Sequence, residues 1–122
     1  MARVVLEGSD IVVRLSWFEK LAARRRGVRV PVSALRAVSV QPDWWRALRG
    51  VAGEGAWIPA RRCVGIRRLR DGRDFVAIRA GRPVLCVELR RRAPFGRLAV
   101  SDPHPEEAMR ALQPLVPRDR LS

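Results

Sequence analysis

A chain of 122 residues and 13.8 kDa, with 48% apolar and 30% charged residues, carries enough material for one hydrophobic core. That composition excludes a collagen, a coiled coil, a disulfide scaffold and a multidomain enzyme. Basic residues outnumber acidic ones 25 to 12, for a net charge of +13, and Lys20 is the only lysine. GC-rich codons account for the choice of arginine over lysine but not for the excess of cations. Such a charge favours contact with a polyanion: nucleic acid, anionic lipid or an acidic protein surface.

The elements read in chain order as follows. Arg3 to Glu7 and Asp10 to Leu15 alternate about Gly8-Ser9 as a hairpin. Ser16 and Glu19 have capping-box spacing, predicting a helix through Arg25 that buries Phe18, Leu21 and Ala22 and stops at Gly27. Val28 to Val32 and Ala37 to Gln41 read as strands. Pro42 to Leu48 holds a turn of helix at most, and the glycine-rich stretch from Gly50 to Arg62 reads as a loop. From Cys63 to Ser101 four strands are expected as an antiparallel meander, turning at Asp71-Gly72 and Gly81-Arg82. A helix after Asp102-Pro103, burying Met109, Leu112 and Ala108, closes the chain, with residues 114–122 as a short tail.

Two-residue turns at those positions would place Leu69, Val76, Ile78, Leu85, Val87 and Leu89 on one core face. Arg68, Phe75 and Glu88 would form a row on the other face. Arg70, Arg73 and Arg90 would form the next, three like charges whose opposition is unfavourable unless an anion sits among them. These three are the candidate anion-binding residues, the alternative being arginines that splay into water. The basic runs Arg24 to Arg26 and Arg90 to Arg92 with Arg97 are further candidates. Trp44, Trp45, Arg46, Arg49 and Trp57 could form an aromatic and basic surface for a stacked base or a partner protein.

Catalytic and metal chemistry find little to work with. Cys63 and Cys86 are not spaced as a CxxC pair and would lie on opposite sheet faces. His104 is the only histidine, so cysteine and histidine alone cannot assemble a four-ligand zinc site. Nucleophile-elbow, HExxH and phosphate-loop motifs are missing. The expectation is no enzyme, no cofactor and no metal. No apolar run approaches the roughly 18 residues of a membrane span, and the chain reads as cytoplasmic, with a peripheral place at the inner membrane surface compatible with its charge.

Several segments resemble a family of small uncharacterised bacterial proteins with a pleckstrin-homology-like fold. Val30-Pro31-Val32 with Leu35-Arg36-Ala37-Val38 is similar to that family's "VPL..V..V". Leu48-Arg49-Gly50 follows, and Gly65-Ile66-Arg67 with Asp71-Gly72-Arg73-Asp74-Phe75 is similar to its "GT….DG…F". Arg97-Leu98-Ala99-Val100 and Asp102-Pro103 are similar to its "RLVV…DP". The middle loop departs, keeping Gly53, Gly55 and Pro59 in another order. The resemblance implies a single mainly β (α+β) domain over residues 1–122: an antiparallel sandwich or barrel of about seven or eight strands, a short N-terminal helix and a C-terminal capping helix. It brings no activity and no catalytic residues. The functional expectation is a non-catalytic binding module whose partner is a protein or an anionic surface such as a lipid headgroup, the alternative being nucleic-acid binding through arginine and tryptophan.

Overall fold

Strand β1 (Arg3–Glu7) and strand β2 (Asp10–Arg14) pair antiparallel about Gly8, whose φ of 62° takes the tight turn. Their alternation sends Val4, Ile11 and Val13 inward. The computed structural model describes residues 1–117, so residues 118–122 of the expected tail lie outside the described residues.

Helix α1 (Trp17–Ala23) opens on the expected capping box: the Glu19 amide donates to Ser16 Oγ at 3.3 Å, and the Ser16 amide donates to Glu19 Oε1 at 2.8 Å. Glu19 Oε2 also accepts from the Ala2 amide, so this carboxylate is buried. Fixing Glu19 inward fixes the helix phase, and Ala23 joins it inside. Leu21, expected in the core, is thereby turned out and stands 66% exposed. The helix ends at Arg24, in the left-handed conformation with φ 54°, rather than at Gly27. Gly27 opens strand β3 (Gly27–Pro31), which pairs with β2 and completes a three-stranded sheet.

The second sheet holds β4 (Leu35–Gln41), β5 (Val51–Ile58), β6 (Arg62–Leu69), β7 (Gly72–Arg79), β8 (Val84–Leu89) and β9 (Arg97–Val100), in the order β4-β8-β9-β7-β6-β5. It corrects the expected meander in three ways. First, β9 lies between β7 and β8 and runs parallel to β7, so β7 and β8 are not neighbours. Every residue from Leu98 to Val100 is buried, as an interior strand covered on both faces requires. Second, Leu69 pairs with Gly72, so the hairpin turns at Arg70-Asp71 and not at Asp71-Gly72. This register sets Ile66 against Phe75 and Arg67 against Asp74; the expected one would have set Arg68 on Phe75 and Leu69 on Asp74. Third, the segment taken for a loop contains β5, an edge strand with a register shift between Ala52 and Gly55.

The fold is therefore mainly β, with nine strands in two sheets that do not close and two short helices among the described residues. One cluster of buried side chains joins Ile11, Val13 and Val30 of the first sheet to Leu35, Ile66, Phe75, Leu85, Val87 and Leu98 of the second. Thus Leu85, Val87 and Leu89 share a face with Phe75 and Ala77, not with Val76 and Ile78 as expected. Helix α2 (Pro105–Leu112) adds Leu112 to that core, with Ala108 and Met109 partly buried against it. Asp102 ties this end to the first sheet, accepting from the amides of Val4 at 2.8 Å and His104 at 2.7 Å.

The opposite face of the large sheet is covered by its own connection. Edge strands β4 and β5 stand five inter-strand steps apart, about 24 Å on a flat sheet. Residues 42–50 therefore run across the face as a strap, with the expected single turn of 3-10 helix at Trp44–Ala47. Ala47, buried to 1%, packs with Trp44, Leu48 and Trp57 onto Val76, Ile78, Val84, Cys86 and Ala99.

Candidate anion-binding cleft

The strap is clamped where the second apolar cluster ends. Asp74, only 1% exposed, accepts two hydrogen bonds from Arg49, Nε to Oδ2 at 2.8 Å and Nη2 to Oδ1 at 2.7 Å. These bonds push the Arg49 guanidinium pKa up, against the opposing cost of desolvation. Arg67 donates to the carbonyls of Arg49 and Gly50 and lies over the Trp57 ring at 5.3 Å. Arg97 donates to Glu88 Oε2 at 2.6 Å. The cross-strand row Arg67, Asp74, Arg97, Glu88 thus alternates in sign, the favourable arrangement for directly opposed charges.

Beyond this neutral row the sheet opens into a cleft of about 850 Å³. Its walls are the β6–β7 turn, the end of β8 and the Ala93 to Gly96 loop, and it is lined by Arg36, Arg49, Arg68, Arg73 and Arg91 with Asp71 and Glu88. Arg49 and Glu88 are already engaged in the ion pairs above. Among the described residues Arg68 reaches only the exposed Glu54, at 3.9 Å. Arg36, Arg73 and Arg91 have no carboxylate within salt-bridge distance among the described residues. Arg73 is held by its Nε, which donates to Pro94 O at 3.2 Å, and by the Phe95 ring, 4.8 Å from its guanidinium carbon.

The expected row of Arg70, Arg73 and Arg90 does not form, because β9 separates β7 from β8. Arg70 and Arg73 do meet, around a smaller hollow of about 240 Å³ that adjoins the cleft. Arg90 is drawn away: its Nε donates to Ser33 O at 3.1 Å and its amide to Ala34 O at 2.8 Å. Arg68, expected beside Glu88, is not paired with it. Arg36 was missed, since nothing in its local sequence marks it. Arg91 lies within the Arg90 to Arg92 run that composition had flagged.

The aromatic and basic candidates gather at the strap, but mostly in its packing and ion pairs. Trp44 is half-buried and packs edge-on to Trp45 at 6.0 Å, leaving Trp45 56% exposed. Trp57 Nε1 donates to Gly53 O at 3.0 Å within the strap cluster. Arg46 pairs with Asp43 at 3.3 Å, and Arg49 is the strap clamp.

Cys63 and Cys86 both face the strap, not opposite sides of the sheet. They sit on β6 and β8 with β7 and β9 between, strands about 14 Å apart at the usual spacing, and Cys86 is level with Gly65 rather than Cys63, so they are too far apart for a disulfide. Burial raises both thiol pKa values. Titration with a thiol-reactive disulfide should find two free thiols in denaturant. In the native protein both should react more slowly than free cysteine at neutral pH, buried Cys86 more slowly than Cys63, and faster as pH rises. A single disulfide recovered from native protein would contradict this arrangement.

Among the described residues no three His, Cys, Asp or Glu side chains are grouped to hold a metal ion, and no helix is long and apolar enough to cross a membrane. No protein-family model matches the chain, and no curated protein or solved structure matches it either.

Proposed function

We propose that the protein is a non-catalytic binding module for an anionic partner, held at the arginine cleft below the Arg67, Asp74, Arg97 and Glu88 row. The observation that carries this reading is the charge balance of the cleft: Arg36, Arg73 and Arg91 enter it without an ion-pair partner among the described residues, beside the weakly held Arg68. Guanidinium groups converge well on phosphate, sulfate or carboxylate because each offers a planar fork of donors. The cleft lining offers an anion charge and shape, and both thiols lie away from it, turned to the strap.

The test compares two triple variants with equal loss of charge. Arg36→Gln/Arg68→Gln/Arg91→Gln removes three of the five cleft arginines, whereas Arg3→Gln/Arg82→Gln/Arg110→Gln removes exposed arginines elsewhere. The cleft variant should elute from heparin at clearly lower salt than the control, with a shallower salt dependence. Equal elution of the two would mean that net charge, not the cleft, holds the polyanion.

We also read the domain as a variant of the pleckstrin-homology-like architecture, supported by two sheets sharing one core and a C-terminal helix packed beside β4 and β8. Insertion of β9 parallel to β7 is the point of departure. Fold alone transfers no partner, so the functional reading rests on the cleft.

A further inference from the structure

The outer face of α1 is built the wrong way round for a helix that only packs on a core. Its one carboxylate, Glu19, is buried in the capping box and against the Ala2 amide. Trp17, Lys20 and Leu21, spaced at i, i+3 and i+4, fall on one stripe about 100° wide, and Arg24 caps the end of the helix just past it. Trp17 is 72% and Leu21 66% exposed, and both cations are exposed beside them. Neither Lys20 nor Arg24 has a side-chain hydrogen bond or ion pair among the described residues. Arg24 keeps its cation at a left-handed position, φ 54°, where glycine is the favoured residue.

Beside the stripe, between α1 and the first sheet, lies a hollow of about 550 Å³. Lys20 and Arg26 border it without side-chain partners among the described residues, while its one carboxylate, Glu7, is already taken by Arg14 and Arg29. Exposed tryptophan and leucine therefore alternate with unpaired cations above a concavity large enough for a phosphate-bearing headgroup.

We infer that this face of α1 docks on an anionic lipid surface, with Trp17 and Leu21 entering the interface and Lys20, Arg24 and Arg26 meeting headgroup phosphates. Two apolar side chains are too few to centre a stable protein interface, which buries about 800 Å² per partner. Against a nucleic acid Trp17 would be a lone stacking platform and Leu21 would stay in water, whereas a bilayer takes up both. At a bilayer, each inserted side chain and each nearby cation adds to attachment separately, and indole and snorkelling cations suit the headgroup region. The inference shares only the anionic character of the partner with the cleft reading, and it uses a different surface.

Co-sedimentation with vesicles tests it, using phosphatidylcholine alone and an equimolar mixture with phosphatidylglycerol. Wild type should bind the mixed vesicles and not the neutral ones. Trp17→Gln/Leu21→Gln should weaken that binding by about tenfold or more, and Lys20→Gln and Arg24→Gln by about fivefold each. Both apolar positions are exposed, so the melting temperature should hold and loss of binding cannot be charged to unfolding. The cleft triple variant should keep most vesicle binding while eluting from heparin at lower salt, which separates failure of one reading from failure of the other. No binding to mixed vesicles, equal binding to neutral ones, or binding indifferent to Trp17→Gln/Leu21→Gln would overturn the inference. Loss of oligonucleotide binding, with no vesicle binding, in the same variant would assign the face to nucleic acid instead.

Discussion

Gly65→Ala should lower the melting temperature by on the order of 12 °C. Gly65 stands opposite Gly55 in the β5–β6 pair, with φ of 147° and 151° at the two positions. A Cβ at Gly65 would stand 2.2 Å from Glu54 O and 2.6 Å from the Gly55 Cα, both backbone atoms with no rotamer to yield. A side chain in that backbone region costs about 1–3 kcal/mol, and forcing extra volume into a packed site costs about as much again. A loss of about 3 kcal/mol, at roughly 4 °C per kcal/mol for a domain of this size, gives the expected shift. Gly72→Val is the control. Gly72 has no positive φ and a Cβ there meets nothing within 4 Å, so a β-branched residue at the start of β7 should leave the melt almost unchanged. A turn at Asp71-Gly72 would need positive φ at both residues, and Gly72→Val would then be clearly destabilising rather than neutral.

Arg49→Ala should be nearly as damaging, by about 3 kcal/mol. The substitution leaves the Asp74 carboxylate, 1% exposed, without its two charge-assisted donors. Breaking a buried pair by removing one partner costs about 3–5 kcal/mol. The low end applies because the Arg49 side chain is itself 36% exposed. Replacing both members by apolar residues, Arg49→Met/Asp74→Leu, should recover much of the loss, since the uncompensated charge is gone. The strap clamp predicts this pattern in a chemical-denaturation series. If Arg49→Ala unfolds at the wild-type midpoint, Arg49 is a surface residue and the strap is held by Trp44, Ala47 and Leu48 alone.

Short-range chemistry was legible in the sequence where one residue decides it. Ser16 and Glu19 fixed the start of α1, Gly8 the first hairpin, and Pro42 to Leu48 its single helical turn. Legibility failed where a long-range partner decides. The Leu98-Ala99-Val100 run does not alternate, which marks a strand covered on both faces. Only the tertiary fold reveals that its lateral partners are β7 and β8, and that the first sheet and the strap cover its two faces. Gly50, Gly53 and Gly55 disguise β5 as a loop, because glycine is poor strand material unless two chains approach as closely as Gly55 and Gly65 of β6 do. The same insertion of β9 dissolved the expected arginine row: Arg70 and Arg73 stayed together, Arg90 left, and Arg36 and Arg91 arrived from segments distant in sequence. Leu21 was misplaced because its hydrophobicity is outweighed by Glu19, whose two amide donors set the helix phase.

The cleft itself is tested most directly by amide and arginine Nε–Hε NMR spectra of the whole chain, titrated with a heparin oligosaccharide. The account predicts that shifts concentrate at Arg36, Arg68 to Arg73 and Arg91 to Gly96, with the Arg49 Nε–Hε signal held in place by Asp74. Shifts spread evenly over the surface arginines, or confined to the opposite end of the large sheet around Arg61, Arg79 and Arg82, would contradict it.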